Sequence, residues 1–363
     1  MKPSAVSPFR SCLNRPRLKR ANRALKLFAI SGLSMGAAAA SAQSSVTISG
    51  AIDGGIAYMK TERFSQLQTA SGSIAASSLV FSGKEDLGGG YYASFLLRSL
   101  FVTSTGAISG SKLFGSEAKV GLEGPFGRVE AGRLFSPTHQ TLVFKAPSQS
   151  NFAGAFNIAV GGYSPYWDNS VRYTSPVFGG VNFIAQHSTS ILDGETPAPN
   201  DKNGVGTALA INFVKGPVDL SGVVEMVDTQ RLPTVDYSVN RGTLMGTYDF
   251  GPVKAHAGYM SEKYAGRGQP LDFNLTILGA SMPISPVIKL SAEYGRKKFQ
   301  NSAGKVDFIG LGAFYSLSKR TVVYSEIADI RNKGVARQSV YRGIPAVAGE
   351  KVSGYTVGIR HSF

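Results

Sequence analysis

Apolar and polar residues alternate along most of the chain with a period of two. Residues 288–294 and 253–259 show this alternation without interruption. Because successive side chains of a β-strand point to opposite faces, each such segment has one apolar face and one polar or small face. We therefore predict a chain built of strands, and we find no helical pattern of useful length among the predicted strands.

The alternation divides the chain after residue 45 into sixteen candidate strands. With boundary errors of roughly two to four residues, they lie at about 46–60, 73–84, 91–103, 111–123, 126–135, 168–175, 181–189, 204–214, 217–228, 240–250, 253–264, 271–282, 286–298, 305–317, 320–332 and 352–363.

The connectors between these strands alternate in length. Seven short ones are rich in Gly and Pro, such as 124–125 and 251–252, and eight long ones are polar, such as 136–167 and 333–351. Short turns at one end and long loops at the other are typical of an up-and-down transmembrane barrel. We therefore predict an all-β fold, a sixteen-stranded antiparallel transmembrane β-barrel with both termini on the side of the short turns.

A soluble β-sandwich is the alternative architecture. It would mix its loop lengths and leave strand edges unpaired, whereas closure of a barrel removes every edge. No apolar run reaches the roughly 18–20 residues that a spanning helix requires. We favour the barrel, so that any membrane crossing is made by strands.

Composition agrees with this class. Charged residues make up 17% of the chain, aromatic residues make up 10%, and there are 43 glycines. Such a chain is too apolar to be disordered and too rich in glycine to be a helical bundle. Aromatic residues lie near the predicted strand ends, as in the girdles of membrane barrels; they include Phe126, Phe178, Phe250, Tyr58, Phe101 and Tyr259.

The first 42 residues have the organisation of a secretory signal peptide. They hold eight basic residues and no acid, then an apolar stretch at 27–40, then the small-x-small sequence Ala40-Ser41-Ala42. An amphipathic surface helix or an organelle transit peptide is the alternative, and the cleavage motif argues against it. We predict a signal at residues 1–42 and a barrel domain at residues 43–363.

Removal of this segment changes the charge argument. Taking its eight basic residues from the net charge of +15 leaves +7, with acids interleaved throughout, so we expect no nucleic-acid partner. The single cysteine, Cys12, lies in the predicted signal, which excludes a disulfide framework or thiolate metal site from residues 43–363.

Five stretches, spread in order over the chain, carry a resemblance to a known family. They are residues 44–50 with Asp53, 83–90, 114–133, 168–176, and 358–363 with its terminal Phe363. Together they resemble the general porins of Gram-negative outer membranes, in the branch typical of β-proteobacteria.

The resemblance implies an outer-membrane homotrimer of sixteen-stranded barrels. Each barrel would have its own pore, narrowed by a third loop folded inward. It also implies contact with outer-membrane lipid and lipopolysaccharide, and recognition of Phe363 by the barrel-assembly machinery.

Strand parity assigns charged residues to the inner wall. Residues opposite in parity to apolar neighbours are predicted to face inward, which selects Asp53, Arg98, Lys119 and Arg172. The same rule gives an inner wall of mixed charge; it adds Lys254 and Lys289 and the acids Glu117, Glu123, Asp219, Glu225, Asp249, Asp272 and Glu293. Narrow channels select ions through rings of wall charge.

Parity does not assign Arg133 to the inner wall, and two other wall positions differ from the family pattern. Strict alternation turns Arg133 outward, whereas the resemblance implies that it lines the constriction. Many relatives carry an arginine where this chain has Ser78, and they commonly carry a glutamate where it has Arg98.

The third long loop contains no acid between Leu134 and Trp167, although it carries His139, Lys145 and several aromatic residues. Basic residues of the predicted pore thus lack nearby counter-charges in sequence, which favours anion preference. The alternative is that Asp168 or wall carboxylates replace the missing acids. The predicted pore-lining or constriction residues are Arg98, Lys119, Arg133, Lys145, Arg172, Asp53, Glu117 and Asp168.

Other chemistry is not signalled. The four histidines lack metal-ligand spacing and no Gly-x-Ser-x-Gly sequence occurs, so we expect no metal, no cofactor and no catalysis. We predict passive diffusion of small hydrophilic solutes and ions, with anions preferred. A pore specific for phosphate, organic acids or sugars is the runner-up, and an outer-membrane enzyme or an adhesin remains open.

Overall fold

A computed structural model describes residues 45–159, 164–191, 204–228, 236–267, 272–300, 302–340 and 345–363. The predicted signal at 1–42 lies outside these residues. Among the residues that the structure describes, no helix is long and apolar enough to span a bilayer.

The described residues form seventeen strands, one α-helix and one 3-10 helix. The strands are β1 Ser45–Lys60, β2 Ser65–Ser71, β3 Ser77–Gly88, β4 Tyr91–Phe101, β5 Glu117–Gly124, β6 Gly127–Phe135, β7 Tyr166–Thr174, β8 Val181–Ser188, β9 Gly206–Lys215, β10 Val218–Asp228, β11 Asp236–Asp249, β12 Lys254–Arg267, β13 Phe273–Pro283, β14 Ile288–Phe299, β15 Lys305–Ser316, β16 Thr321–Lys333 and β17 Lys351–Ser362. The α-helix, α1, is Pro137–Phe144, and the 3-10 helix is Ala155–Ala159.

The strands close into one antiparallel barrel. Strand β1 pairs with β17 along one edge, from Ala51 opposite Ser362 to Lys60 opposite Ser353. Along its other edge, the first half of β1 pairs with β3 and the second half with β2. Strands β2 and β3 therefore act as a single interrupted barrel strand, and the prediction of a sixteen-stranded antiparallel barrel is confirmed.

One prediction about local structure is wrong. Residues 65–71 were expected in a loop but form β2, because their backbone pairs with β1. The third loop, for which the sequence predicted no regular structure, contains α1. This helix begins where Ser136 accepts a hydrogen bond from the backbone N–H of His139 at 3.1 Å and Pro137 fills the first turn. Eight residues without a 3.6-residue apolar pattern give too little signal to predict a helix.

The outer face of most strands is apolar. In β1, Ile52 and Ile56 are exposed, whereas Asp53, Ala57 and Met59 on the other face are buried. Strand β13 reverses this order: its Phe273, Leu275 and Ile277 lie on the inner face in an apolar cluster with loop side chains. The apolar-outward rule therefore does not hold on this strand; Asp272, which precedes it, accepts a hydrogen bond from the backbone N–H of Tyr264 at 2.8 Å.

The segment 136–159, between β6 and β7, packs against the inner face of strands β10–β17. Its Phe152, Phe156 and Ile158 belong to the same apolar cluster as the inner residues of β13 and β15. Glycines make room for this approach: a Cβ added at Gly310 would lie 2.0 Å from the carbonyl oxygen of Ala153. At Gly354 it would lie 2.7 Å from the ring of Phe152.

Candidate pore and its two charged walls

A network of ion pairs covers the inner face of β3–β6. Glu117 lies opposite Arg98 in the β4–β5 register, with Arg98 Nη1 at 3.3 Å from its Oε2 and Lys119 Nζ at 2.9 Å from its Oε1. Lys119 Nζ also lies 3.0 Å from Glu130 Oε1, and Arg128 Nη1 lies 3.9 Å from the same oxygen. Each of these two carboxylates is shared by two cations.

The network extends along β5 and β6 to their short turn, where Glu123 lies. A separate group of ion pairs, around Asp168, lies at the other end of these strands. Glu123 Oε2 lies 3.6 Å from Lys84 Nζ and 3.8 Å from Arg128 Nε. Lys84, Lys119, Glu123, Arg128 and Glu130 help line a cavity of about 360 Å³. Beyond Arg98, Asp168 accepts hydrogen bonds from Lys112 Nζ at 2.5 Å and from Arg133.

We call this surface the basic wall. It comprises the basic residues Lys84, Arg98, Lys112, Lys119, Arg128 and Arg133 and the acidic residues Glu117, Glu123, Glu130 and Asp168. Six basic side chains thus face four acids within this set. The prediction of basic residues without counter-charges is wrong in that form, because most are paired; the set nonetheless keeps a positive surplus.

Arg133 reaches this wall through an irregularity in β6. The register with β7 shifts between Gly132 and Leu134, and Gly132 has a φ of +131°, a conformation that glycine adopts readily. The shift releases Arg133 from the outward parity that strict alternation predicts. Its Nε donates to the carbonyl oxygen of Gly115 at 2.8 Å, and its guanidinium bonds Asp168.

Three predicted residues lie behind the wall surface instead. Arg172 is 4% exposed, and its guanidinium donates to Gln186 Oε1 at 2.8 and 2.6 Å and to the carbonyl oxygen of Phe135. Asp53 is fully buried and accepts from Tyr324 Oη at 2.6 Å and from two backbone N–H groups at residues 74 and 75. Lys145 pairs with Asp219. Their contacts fix the neighbouring strands and the third loop in place.

The opposite wall carries buried carboxylates and buried basic side chains such as Arg241, and the segment 136–159 covers it. Glu293 Oε1 accepts from the backbone N–H of Ser148 at 2.8 Å and from its hydroxyl at 2.5 Å, while Oε2 accepts from the N–H of Ala155 at 2.7 Å. Glu225 accepts from the N–H of Thr138 at 2.9 Å, and Glu326 accepts from the hydroxyl of Ser150 at 2.9 Å. We call these strands, β10–β16, the covered wall.

These contacts explain the absence of acids from the third loop. The loop supplies donors, and the wall supplies carboxylates that are 1–3% exposed at positions 225, 293 and 326. A loop acid would meet these carboxylates at short range and repel them. The counter-charges of Arg98 and Arg133 are a different pair, the wall carboxylate Glu117 and Asp168, as the alternative reading of the sequence expected.

Four rings lie between the two walls, and sequence reasoning did not group them. Phe135 stacks on His139 at a centroid distance of 5.3 Å and contacts Tyr166 at 5.1 Å and Phe144 at 6.3 Å. We call this cluster the aromatic platform. Burial lowers the pKa of His139 to about 4, so the imidazole is neutral at pH 7. The spacing of these residues carries no periodic signal, so only the fold brings them together.

Sequence reasoning also passed over Arg128, Glu130 and Lys112. Arg128 and Glu130 are two residues apart on β6, and parity alone could have placed them on one face. Lys112 lies outside the described strands, so no parity rule could place it.

A closed barrel with an apolar outer surface and charged inner walls defines the class of outer-membrane channels. Residues 29–335 match the family model described as Gram-negative porin. The chain belongs to the Gram-negative porin family, whose members are passive channels of the bacterial outer membrane.

Similar proteins agree with this assignment. Outer membrane porin protein 32 of Delftia acidovorans is 32% identical, with 95% of this chain and 100% of the relative covered. An outer membrane porin protein of Bordetella pertussis is 27% identical, covering 90% of this chain and 96% of that relative. The solved structure of an anion-selective porin from Comamonas acidovorans matches with a TM-score of 0.78 at 26% identity, covering 88% of this chain and all of that chain.

Proposed function

We propose that this porin prefers anions to cations, and that the basic wall produces the preference. The observation that carries the proposal is the unequal count in that wall, where six basic side chains, Lys112 among them, face four acids. A narrow channel with low-dielectric walls focuses the field of its surplus charge and enriches the opposite ion.

The covered wall supports the same preference. Its carboxylates bind loop N–H and hydroxyl groups, which compensate their charge, and the loop separates them from the remaining space of the barrel. The porin from Comamonas acidovorans, whose structure this chain resembles, is described as anion-selective.

Within the channel we assign two roles. Arg98, Lys119, Arg133, Glu117 and Asp168 form the charged surface that passing solutes meet. Lys145, Arg172 and Asp53 act indirectly, since their contacts fix the loop and the strands that carry that surface.

We propose a homotrimer in outer-membrane lipid and lipopolysaccharide, made from residues 43–363 after removal of the signal. One solved relative of this fold, OmpT of Vibrio cholerae, is described in a trimer form. Phe363 is positioned to serve assembly, since its backbone N–H and carbonyl pair with Gly50 at 3.1 Å, where the barrel closes. The proposed function is passive diffusion alone, without an enzymatic step.

A pore specific for organic acids is the second candidate. The observation that favours it is the aromatic platform, which lies beside Arg98 and Arg133. The exposed ring of Phe144 can contact the apolar part of an organic acid, whereas small inorganic ions make no such contact.

The zero-current potential of the purified protein in a planar bilayer, across a KCl gradient, tests the proposal. A potential whose sign reports chloride as the more permeant ion supports the basic wall as the selecting surface. A potassium preference would overturn it, and a protein without conductance would contradict the channel itself.

A further inference from the structure

Phe144 is an exposed aromatic side chain inside the barrel. Its residue is 54% exposed, whereas Thr138, Thr141 and Leu142 of the same helix are buried. The next residue, Lys145, pairs with Asp219, the second residue of β10 after the short turn. The loop therefore carries Phe144 deep into the barrel with its ring open to the lumen. Covering this ring with an apolar part of a solute would remove apolar surface from water, which is favourable.

The neighbouring rings hold Phe144 in a defined orientation. Phe135 is 8% exposed and lies edge-on to Phe144, with an interplanar angle of 83°. Phe135 is itself fixed between His139 and Tyr166. A ring that enters the lumen can thus contact a rigid aromatic face without ordering a flexible side chain, which lowers the entropic cost of contact.

Cations flank the platform on the side of the basic wall. The guanidinium carbon of Arg98 lies 5.9 Å from the centre of the Phe135 ring, and that of Arg133 lies 5.1 Å from the centre of Tyr166. Arg98 shares its acid, Glu117, with Lys119, and Arg133 shares Asp168 with Lys112. An anionic group near the platform therefore meets incompletely neutralised positive charge.

We propose that the platform and Arg98 form a binding site for small aromatic carboxylates of the benzoate class. The ring of the solute packs against Phe144, and its carboxylate points toward Arg98. The inference rests on the proposed anion preference and names the solute class of the same channel. A neutral sugar would use the rings but not the cations, and an aliphatic carboxylate would use the cations but not the rings.

The test compares two anions in planar bilayers that contain the purified full-length mature protein. Benzoate and cyclohexanecarboxylate have the same charge and the same number of carbon atoms, and only benzoate is planar and aromatic. With the potassium salt of one acid on each side of the membrane, the bi-ionic potential gives the ratio of the two anion permeabilities. We expect benzoate to be more permeant than cyclohexanecarboxylate by about 2- to 10-fold, the range typical of one aromatic contact. Added benzoate should also reduce the single-channel chloride current at lower concentration than cyclohexanecarboxylate does.

Phe144→Leu keeps an apolar side chain and removes the ring, so the benzoate preference should fall to about 1. Phe183→Leu is the matched control, because Phe183 is also half exposed but lies on the outer face of β8, where it should leave the ratio unchanged. Arg98→Gln should reduce the permeability of both acids relative to potassium and preserve their ratio.

A native ratio near 1 would overturn the proposal, as would a ratio that Phe144→Leu does not change. The zero-current potential in KCl tests the anion preference separately. If the channel prefers potassium, the ratio of the two anion permeabilities can still be measured, so a wrong anion preference is distinguished from a wrong benzoate site.

Discussion

The two walls of this barrel use acidic side chains in opposite ways. On the basic wall, Glu117 and Glu130 each lie between two cations, and their charge is outnumbered. On the covered wall, Glu293 and Glu326 bind backbone N–H and hydroxyl groups of the third loop. The charge that a solute meets is therefore set by which carboxylates the loop covers, as well as by the sum of the charges.

The same comparison explains the distribution of glycine. Inner glycines of β13–β17, such as Gly310 and Gly354, allow the loop to touch the backbone of the covered wall. Gly242 lies on the outer face of β11, where nothing lies within 4 Å of its Cβ position. Close packing of the loop against the covered wall leaves the space along the basic wall to passing solutes.

One large predicted effect comes from adding a side chain to a glycine that contacts the third loop. Gly310→Ala places a methyl group against the carbonyl of Ala153, and overpacking of this kind costs about 1–3 kcal/mol. We expect a lower thermal stability of the folded barrel and a noisier single-channel conductance with frequent closures, because the loop moves off the covered wall toward the lumen. Gly242→Ala serves as the control and should change neither property; equal behaviour of the two variants would contradict the account.

The second effect comes from removing a carboxylate beneath the loop. Glu293→Ala leaves the N–H groups of Ser148 and Ala155 without their acceptor, at a cost of about 1–3 kcal/mol for each buried group. We expect frequent transient closures in single-channel records. Glu293→Gln retains one carbonyl acceptor and should show an intermediate frequency of closures. An alanine variant that closes no more often than the native channel would contradict the role of Glu293 in holding the loop.

The third prediction separates an arginine of the basic wall from one that lies behind it. Arg98→Gln removes a charge from a side chain that is 29% exposed. One charge at about 10 Å in water enriches the anion and depletes the cation by about twofold each, so the anion-to-cation permeability ratio should fall by about fourfold. Arg172 is buried and holds the carbonyl of Phe135, so Arg172→Gln should mainly lower stability. A larger selectivity change in the second variant would contradict the assigned roles.

The smallest predicted effect concerns pH. Burial beside Phe135 lowers the pKa of His139 to about 4, against about 6.5 for an exposed imidazole. The released loop therefore binds a proton that the packed loop does not, and the stabilisation present above about pH 6.5 is lost as the pH falls toward 4. We expect more closures at about pH 5 than at pH 7 in the native channel, and no such difference in His139→Asn.

Sequence reasoning predicted the strands well, because a period of two is a local property that each segment carries by itself. It could not predict which face of β13 is inside, since alternation defines two faces without naming the inner one. The path of the third loop depends on contacts such as that between Ser148 and Glu293, which are far apart in the chain. Alternation alone could not place Arg133, because the pairing of β6 with β7 is irregular between Gly132 and Leu134.

The central claim is that carboxylates of the covered wall do not act on passing ions, whereas those of the basic wall do. Glu225→Gln and Glu117→Gln each replace one carboxylate with an amide, one beneath the loop and one between Arg98 and Lys119. We would measure the zero-current potential of both variants and of the native protein in the same KCl gradient. The account predicts a stronger chloride preference for Glu117→Gln and a native value for Glu225→Gln. An equal shift in both variants, or a shift in Glu225→Gln alone, would contradict it.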